Sequence, residues 1–381
     1  MMGLTTTKSF GVIMVISSFS IICNAQMNDP SLILFRNCKY DKIFQFGDSL
    51  SDTGNIVLQN ANGPSGRPPY GFSYFKQPTG RCSNGLLVID YIAMAAGLPF
   101  LSPYLKKDAD FTHGVNFAVA SSTAMTIKDL AQRNITVNPQ TVNTSLNVQV
   151  DWMSDYLKSF CKPGPDCQQK LNHSLFMMGE TGGNDMNAAL SGNKTVEEIK
   201  ALVPAIVEAI MQATRRIIKF GARNIVIPGN LPIGCLAVNL ATINGSNQQT
   251  IFDKNRCIKK LNRLANYYND YLKKEIVRLK KENPNLIIVY GDLFNAVEWL
   301  LPRAPYLGFD QKELLKACCG QGGEYNFGGF GKFCGVAGVG ACKNPNAHFS
   351  WDGIHPTQEA NRYMTNWLIT NMLPMLDCPS S

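Results

Sequence analysis

Four short motifs of this sequence contain the residue types of a nucleophilic catalytic site. Ser49 lies within Phe-Gly-Asp-Ser-Leu, Asn184 lies within Gly-Gly-Asn-Asp, and Asp352 precedes His355 by three residues. The fourth motif, Gly-Val-Asn-Phe-Ala, covers residues 114–118. A serine hydroxyl attacks a carbonyl efficiently when a base removes its proton and hydrogen-bond donors stabilise the oxyanion. The set therefore indicates acyl transfer by a serine, a histidine base with an orienting acid, and an amide donor.

His355 is the histidine best suited to act as the base. Asp352 is close enough along the loop for its carboxylate to hold one imidazole nitrogen while the other faces the serine. Two other interpretations stay open when each motif is taken alone. An Asp-x-x-His motif is often an ordinary turn, and Ser49 followed by Asp52 would make a good helix N-cap. The remaining histidines are less suited: His173 lies within an N-x-[ST] motif, His348 has no obvious acid partner, and His113 precedes a predicted strand.

Strand and helix signals alternate along the chain, which predicts an α/β layered fold with a parallel sheet. Apolar runs predict strands over residues 42–46, 115–119, 175–178, 224–227 and 286–290. Helical patterns cover residues 86–96, 146–160, 205–220, 253–283 and 357–373. Thr195 and Glu198 form a capping-box pattern, and Pro204 is expected to break or kink the helix that follows.

The order of these elements predicts where the reactive groups meet. Ligands of open α/β sheets bind at the carboxyl ends of the strands. Ser49, Ser121 and Asn184 follow the first, second and third predicted strands, so we expect them on one rim of the sheet. His355 is expected to reach the same rim from a loop beyond the last strand.

The first 25 residues have the pattern of a secretory signal peptide. Lys8 is their one charged residue, residues 9–22 are mostly apolar, and Cys-Asn-Ala precedes a cleavage point at Gln26. A membrane anchor is disfavoured, because serines interrupt a run that is shorter than the ~20 apolar residues a spanning helix needs. The sequence thus predicts a mature domain over residues 26–381 with no membrane anchor, in the secretory pathway and finally in the cell wall, extracellular space or vacuole.

Cysteines and glycosylation motifs fit that compartment. Removing Cys23 from the 12 cysteines leaves 11, which allows at most five disulfides and leaves at least one thiol. Cys161 and Cys167 form the best local pair, and a glycine-rich insertion near residues 318–342 holds four more. Zinc binding there is disfavoured, because paired C-x-x-C spacing is missing. Asparagines in N-x-[ST] motifs are expected on surface loops: Asn134, Asn143, Asn172, Asn193 and Asn244.

The net charge of +8 does not by itself indicate a nucleic-acid partner. Many of the basic residues lie within residues 253–283, where apolar residues recur at helical spacing between them. This pattern is typical of an amphipathic helix with a solvated basic face. We therefore expect no nucleic-acid binding.

The chain resembles the plant GDSL esterase/lipase family of the SGNH hydrolases nearly from end to end. The resemblance rests on the four motifs above and on two more, over residues 80–85 and 228–235. The layout of the cysteines and the motif over residues 113–120 look most similar to the branch that contains acetylajmalan esterase. The resemblance implies a flavodoxin-like three-layer α/β/α fold, with a mostly parallel five-stranded sheet in a single domain. It also implies hydrolysis of carboxylic esters without a metal or an organic cofactor.

The resemblance assigns a role to each candidate site residue. Ser49 matches the family nucleophile, His355 the base and Asp352 its orienting acid. Asn184 matches the side-chain donor of the oxyanion hole, and the Ser49 main-chain N–H is a second donor. Ser121 stands where the family usually has a glycine that supplies the remaining main-chain donor. If that position needs a positive φ, serine costs about 1–2 kcal/mol that glycine would not.

Three functions are compatible with these motifs. The first is an esterase that hydrolyses a small acylated metabolite through an acyl-enzyme. The second is an acyltransferase that uses the same acyl-enzyme and excludes water. The third is a binding protein that retains the fold with weakened catalysis, for which Ser121 is the sequence support.

Overall fold

The computed structural model describes residues 30–137, 144–243, 251–376 and 378–379, and five strands form one parallel sheet within them. The strands are β1 (Lys42–Phe46), β2 (Gly114–Asn116), β3 (Ser174–Met178), β4 (Asn224–Pro228) and β5 (Ile287–Gly291). Their order is β2-β1-β3-β4-β5, and each neighbouring pair is parallel. The predicted flavodoxin-like α/β fold is confirmed. The predicted signal peptide over residues 1–25 lies outside the described residues.

Both faces of the sheet are buried because helices cover each of them. Successive strand residues point to opposite faces, so consecutive apolar residues serve two separate cores. One core contains Phe44, Phe176, Ile225 and Ile288, and the other contains Ile43, Leu175, Val226 and Val289. The result is a three-layer α/β/α arrangement.

The helices of the described residues are numbered in chain order. They are α1 (Pro30–Arg36), α2 (Asn55–Gln59), α3 (Val88–Ala96), α4 (Ile127–Ala131), α5 (Leu146–Phe160), α6 (Pro165–Leu171), α7 (Gly183–Ser191), α8 (Val196–Phe220), α9 (Ala237–Leu240), α10 (Lys259–Glu282), α11 (Leu293–Leu300) and α12 (Gln358–Met372). Helices α5, α8 and α10 cover the first core, while α1, α3, α11 and α12 cover the second. None of these helices is both long and apolar enough to cross a membrane.

Of the two outcomes expected at Pro204, a break or a kink, the break does not occur, because α8 continues from Val196 to Phe220 with this proline inside it. The predicted capping box is present: Thr195 Oγ1 accepts the Glu198 N–H, and the Glu198 carboxylate accepts the Thr195 N–H. An interior proline costs about 3 kcal/mol. Burial of the apolar face of α8 in the core offsets that cost.

Five disulfides connect the described cysteines: Cys38–Cys378, Cys161–Cys167, Cys235–Cys257, Cys318–Cys342 and Cys319–Cys334. Cys82 is a buried free thiol. The predicted Cys161–Cys167 pair is therefore confirmed, as is the expected leftover thiol. The sulfurs of Cys318 and Cys342 lie near His348, but they are bonded to each other and cannot act as thiolate ligands.

Candidate active site

Ser49, His355 and Asp352 form one chain of hydrogen bonds at the carboxyl edge of the sheet. His355 Nε2 lies 2.7 Å from Ser49 Oγ, and His355 Nδ1 lies 2.7 Å from Asp352 Oδ2. The serine follows β1, while the histidine and the acid lie on the loop before α12. The structure thus brings together the three side chains that the motifs predicted to converge, although the serine and the histidine are 306 positions apart in sequence.

The Asp352 carboxylate is fully buried and accepts four hydrogen bonds. Its Oδ1 accepts the main-chain N–H groups of Ile354 and His355, at 3.0 and 2.9 Å. Its Oδ2 accepts the imidazole and also the Tyr70 hydroxyl at 2.8 Å. Tyr70 is itself buried and packs edge-to-face on Trp351. The carboxylate is therefore held in one orientation from both sides.

Burial and charge act in opposite directions on the acid and the base. Burial would raise the pKa of Asp352 and lower the pKa of His355, because it disfavours both charged forms. The attraction between the two groups outweighs burial, so the pKa of Asp352 is lowered and that of His355 is raised. An imidazole in this position can accept a proton from Ser49 and remain stabilised as the cation.

Tight main-chain packing after β1 sets the position of Ser49. Gly47 has φ +133°, and a Cβ there would lie 2.5 Å from the carbonyl oxygen of Glu180. Gln149 of α5 clamps Gly47, since its amide accepts the Gly47 N–H at 2.9 Å and donates to the Gly47 carbonyl at 2.8 Å. Asp48 Oδ1 then accepts the Leu50 N–H at 3.0 Å. These contacts fix the turn that carries the serine.

Asn184 and Ser121 lie at the same edge, as predicted. Asn184 is the second residue of α7, and its Nδ2 donates to the Ser122 carbonyl at 2.9 Å and to Asp48 Oδ2 at 3.2 Å. Ser121 has φ +69°, the left-handed region that glycine occupies at little cost. Among the described residues, the main-chain N–H groups of Ser49 and Ser121 have no hydrogen-bond acceptor. They are free to bind a substrate oxygen.

The motif over residues 114–118 positions these donors rather than reacting. Asn116 Nδ2 donates to the Ser51 carbonyl at 2.7 Å, which ties the β2 loop to the serine loop. Asn55 Nδ2 donates to the Asn116 and Ala118 carbonyls, at 2.8 and 2.9 Å. Asp52 Oδ2 accepts the Ala120 N–H at 2.8 Å, one residue before Ser121. Two loops that follow neighbouring strands are thus tied into one unit.

The glycine- and cysteine-rich segment over residues 318–342 packs against the loop that carries the acid and the base. The N–H groups of Cys318 and Cys319 donate to the Ser350 and Trp351 carbonyls, at 3.0 and 2.6 Å. The Phe327 ring lies so close to Gly353 that a Cβ there would be 2.5 Å from Phe327 Cδ2. The segment is a buttress for the loop.

Three of the five predicted glycosylation asparagines lie among the described residues. Asn134, Asn172 and Asn193 are exposed, as usable glycosylation positions must be, while Asn143 and Asn244 lie outside the described residues. His113 is exposed at the opposite edge of the sheet, where its Nδ1 lies 3.2 Å from the Asp41 carbonyl oxygen.

Three buried residues near the site were not predicted: Tyr70, Gln149 and Glu180. Each makes its key contact with a residue more than 100 positions away in sequence, so no local spacing revealed it. The sequence contains an indirect indication for one of them, Glu180. Glu180 shares the Gly-Glu-Thr-Gly-Gly-Asn segment with Asn184, and a charged residue two positions after an apolar strand is unusual in a buried position.

Comparisons with known proteins identify a family and several relatives of this chain. The family model described as GDSL-like Lipase/Acylhydrolase matches residues 43–368. Acetylajmalan esterase 1 of Rauvolfia serpentina is 41% identical over 347 residues, which cover 90% of this chain and 89% of that protein. A GDSL esterase/lipase of Arabidopsis thaliana is 40% identical, covering 91% and 94%. Sinapine esterase of Brassica napus is 38% identical, covering 87% and 85%.

Proposed function

Because the chain belongs to the GDSL-like lipase/acylhydrolase family, it is a carboxylic ester hydrolase, and we propose that Ser49 forms the acyl-enzyme of its reaction. The observation that carries the proposal is the continuous contact from Ser49 Oγ to His355 and on to Asp352, with 2.7 Å at each step. An exposed serine without a base would be a poor nucleophile.

In the proposed mechanism, His355 Nε2 takes the Ser49 proton as Oγ attacks the ester carbonyl. Asp352 stabilises the imidazolium that forms, and the same proton then passes to the leaving alcohol. Water enters, gives a proton to His355, and attacks the acyl-enzyme; His355 then returns that proton to Ser49 Oγ as the acid is released. The proton transfer between Ser49 and His355 follows a contact of 2.7 Å that the resting enzyme already contains.

The tetrahedral intermediates carry a negative oxygen, and we propose three donors for it. Two are the main-chain N–H groups of Ser49 and Ser121, and the third is Asn184 Nδ2. Loss of one such donor typically lowers turnover by about 10²–10³-fold. Asn184 must exchange its contact with Asp48 for the substrate oxygen, because both of its N–H groups have acceptors in the resting enzyme.

We propose a small acylated specialised metabolite as the substrate, in the secretory pathway. The support comes from the relatives, two of which are named for acetylajmalan and for sinapine. Five disulfides and three exposed N-x-[ST] asparagines fit an oxidising compartment.

Variants of the base and the nucleophile test the mechanism. Ser49→Ala and His355→Ala should each lower kcat on a nitrophenyl ester by at least about 10³-fold, because both residues act in one step. His113→Ala is the matched control, since this histidine is exposed at the far edge, and it should leave kcat unchanged. Substantial activity in folded Ser49→Ala or His355→Ala protein would refute the assignment.

A panel of nitrophenyl esters that differ in acyl chain length tests the substrate class. Preference for acetyl would support a small acylated metabolite, and preference for long chains would contradict it. Adding an alcohol acceptor to the same assay separates hydrolysis from acyl transfer. If the transferred ester dominates over free acid in aqueous buffer, the protein is an acyltransferase instead.

A further inference from the structure

Glu180 forms a buried carboxyl pair with Asp48, the residue directly before the proposed nucleophile. Glu180 is 3% exposed and Asp48 is 4% exposed. Their side chains are hydrogen-bonded to each other, and the Asp48 N–H donates to the Glu180 carbonyl at 3.2 Å. Glu180 Oε1 is buried and has no partner among the described residues. The mechanism proposed above gives Glu180 no role.

Two carboxyl groups in contact cannot both be ionised when they are buried, so the pair holds a proton. Burial, and then the charge of Asp48, raise the pKa of Glu180 well above its usual value. Burial also raises the pKa of Asp48, to about 6. Glu180 is therefore the acid of the pair that retains the proton.

Groups on several packed elements face this pair. They are Asp185 of α7, Tyr268 of α10, Tyr290 of β5, the Cys82 thiol and His355. Among them only His355 becomes a cation in the proposed cycle, and Asp185 adds negative charge. This surrounding set makes a second negative charge on the pair more costly.

The pair is connected directly to the proposed oxyanion donor. Asp48 Oδ2 accepts a hydrogen bond from Asn184 Nδ2 at 3.2 Å, while the other N–H of that amide is held by the Ser122 carbonyl. Asp48 thus orients Asn184 from the side on which the substrate oxygen must bind. A full carboxylate there would hold the amide too tightly and repel the developing oxyanion.

We propose that Glu180 is a positioning residue that stays protonated and donates its proton to Asp48, so that Asp48 orients Asn184 with a reduced charge beside the oxyanion. This inference rests on the proposed function of Ser49 and Asn184. Glu180 acts through Asp48 and does not touch the substrate. Its proton weakens the hold of Asp48 on the amide, which can then turn to the substrate oxygen.

A neutral isostere distinguishes this role from a structural one. Glu180→Gln keeps an N–H donor towards Asp48 and cannot ionise, so kcat should stay within about threefold of wild type. In wild type, kcat should fall at alkaline pH when the pair loses its proton, since a second negative charge then faces the oxyanion. Glu180→Gln should lack this alkaline fall, whereas a residue that merely fills space would leave the pH profile unchanged.

Glu180→Ala removes the donor and leaves Asp48 fully charged. It should lower kcat by about tenfold or more, with KM within about twofold. Glu298→Gln is the matched control, because Glu298 is another partly buried glutamate whose carboxylate binds an amide, that of Asn255, far from the triad. It should change neither kcat nor the pH profile.

The inference is overturned if Glu180→Gln loses as much kcat as Glu180→Ala, or if Glu180→Gln retains the wild-type alkaline fall. If Glu180→Ala does not fold, the pH profile of Glu180→Gln decides alone. Labelling of wild type by a fluorophosphonate keeps this test separate from the proposed function. A protein that labels at Ser49 supports the mechanism even when the Glu180 variants contradict the inference.

Discussion

Tyr70 is a second side-chain donor to the carboxylate of Asp352. Its hydroxyl donates to the same Asp352 oxygen that holds His355. A hydrogen bond to a carboxylate stabilises its negative charge and so weakens its attraction for the imidazolium. The acid limb of kcat/KM reports the pKa of the free base, and for His355 this pKa is raised above its usual value of about 6.5.

Tyr70→Phe should therefore move the acid limb of kcat/KM to still higher pH. An Asp352 carboxylate that is less stabilised by hydrogen bonds attracts the imidazolium more strongly and raises the pKa of His355, so activity is lost earlier as the pH falls. The plateau of kcat/KM should drop roughly tenfold, because Tyr70 no longer holds the carboxylate in the orientation that His355 needs. Tyr91→Phe is the control, because its hydroxyl donates to the Gln358 carbonyl at 3.2 Å instead. An acid limb that stays in place in Tyr70→Phe would contradict this account.

Ser121 has the left-handed backbone that a glycine would adopt more easily, with φ +69°. Its N–H has no acceptor and is already available to a substrate oxygen. The left-handed backbone should therefore lower the folding stability by about 1–2 kcal/mol without displacing this donor. Ser121→Gly should change kcat by less than about threefold. Asp108→Gly is the control, since Asp108 is exposed and has φ +55° far from the site. A rise in kcat of tenfold or more in Ser121→Gly would show that serine impairs this enzyme.

Ser49, Asn184, Asp352 and His355 could be predicted because each lies in a short motif whose spacing has a chemical reason. Tyr70 could not, because its contact with the acid spans 282 residues. A buried hydrogen bond of this kind depends on how distant loops pack, and one sequence does not encode that in any local pattern.

At the scale of elements, the buttress over residues 318–342 fixes the loop from Asp352 to His355. Gly353 has φ +96°, and the Phe327 ring fills the space next to it. A side chain at this position would displace either the ring or the loop. Because small misplacements of catalytic groups cost large factors in rate, the effect should appear in kcat.

Gly353→Ala should lower kcat by tenfold or more. Gly338→Ala, within the buttress, is a matched control, since Gly338 has φ +84° but no other atom lies within 4 Å of the place where the alanine Cβ would stand. Both alanine substitutions strain a backbone with positive φ, but only the alanine at position 353 would also clash with the Phe327 ring. Thermal melts of both variants separate unfolding from misplacement. Equal losses of kcat in the two variants would argue against the buttress.

Of the ten strands and helices that the sequence pattern predicted, seven lie within two residues of the observed bounds. The others differ more: α8 begins nine residues before the predicted start, and α10 begins six residues after it. The predicted helix over 146–160 is observed unchanged, because its apolar face is regular. The strand predicted over 115–119 ends at Asn116 instead. The N–H groups of Phe117 and Val119 still donate to the Gln45 and Gly47 carbonyls, but the chain leaves the regular ladder to carry the Ser121 donor. Sequence periodicity does not distinguish a strand from such an irregular continuation.

At the scale of the whole molecule, the Cys38–Cys378 disulfide joins the two ends of the described chain across 340 residues. Closing a long loop removes conformational entropy from the unfolded chain, which contributes about 2–5 kcal/mol. Replacing both cysteines by alanine should lower Tm by several degrees and leave kcat at 25 °C unchanged, because the bond lies away from the triad.

Replacement of the Cys161–Cys167 pair is the comparison, since that bond closes a separation of 6 residues and should contribute less. A larger loss of Tm for the short loop than for the long one would contradict the entropic explanation. Reduction of kcat in the Cys38 and Cys378 double variant, at a temperature where it is folded, would show that the termini influence the site.

Activation of Ser49 by His355 can be measured as the rate at which a fluorophosphonate modifies the serine. Wild type and His355→Ala are treated with the reagent, and the modified peptide is identified by mass spectrometry. We expect rapid modification of Ser49 in wild type and a rate at least about a hundredfold lower in His355→Ala. Modification of another residue in wild type, or an unchanged rate at Ser49 in the variant, would contradict this activation.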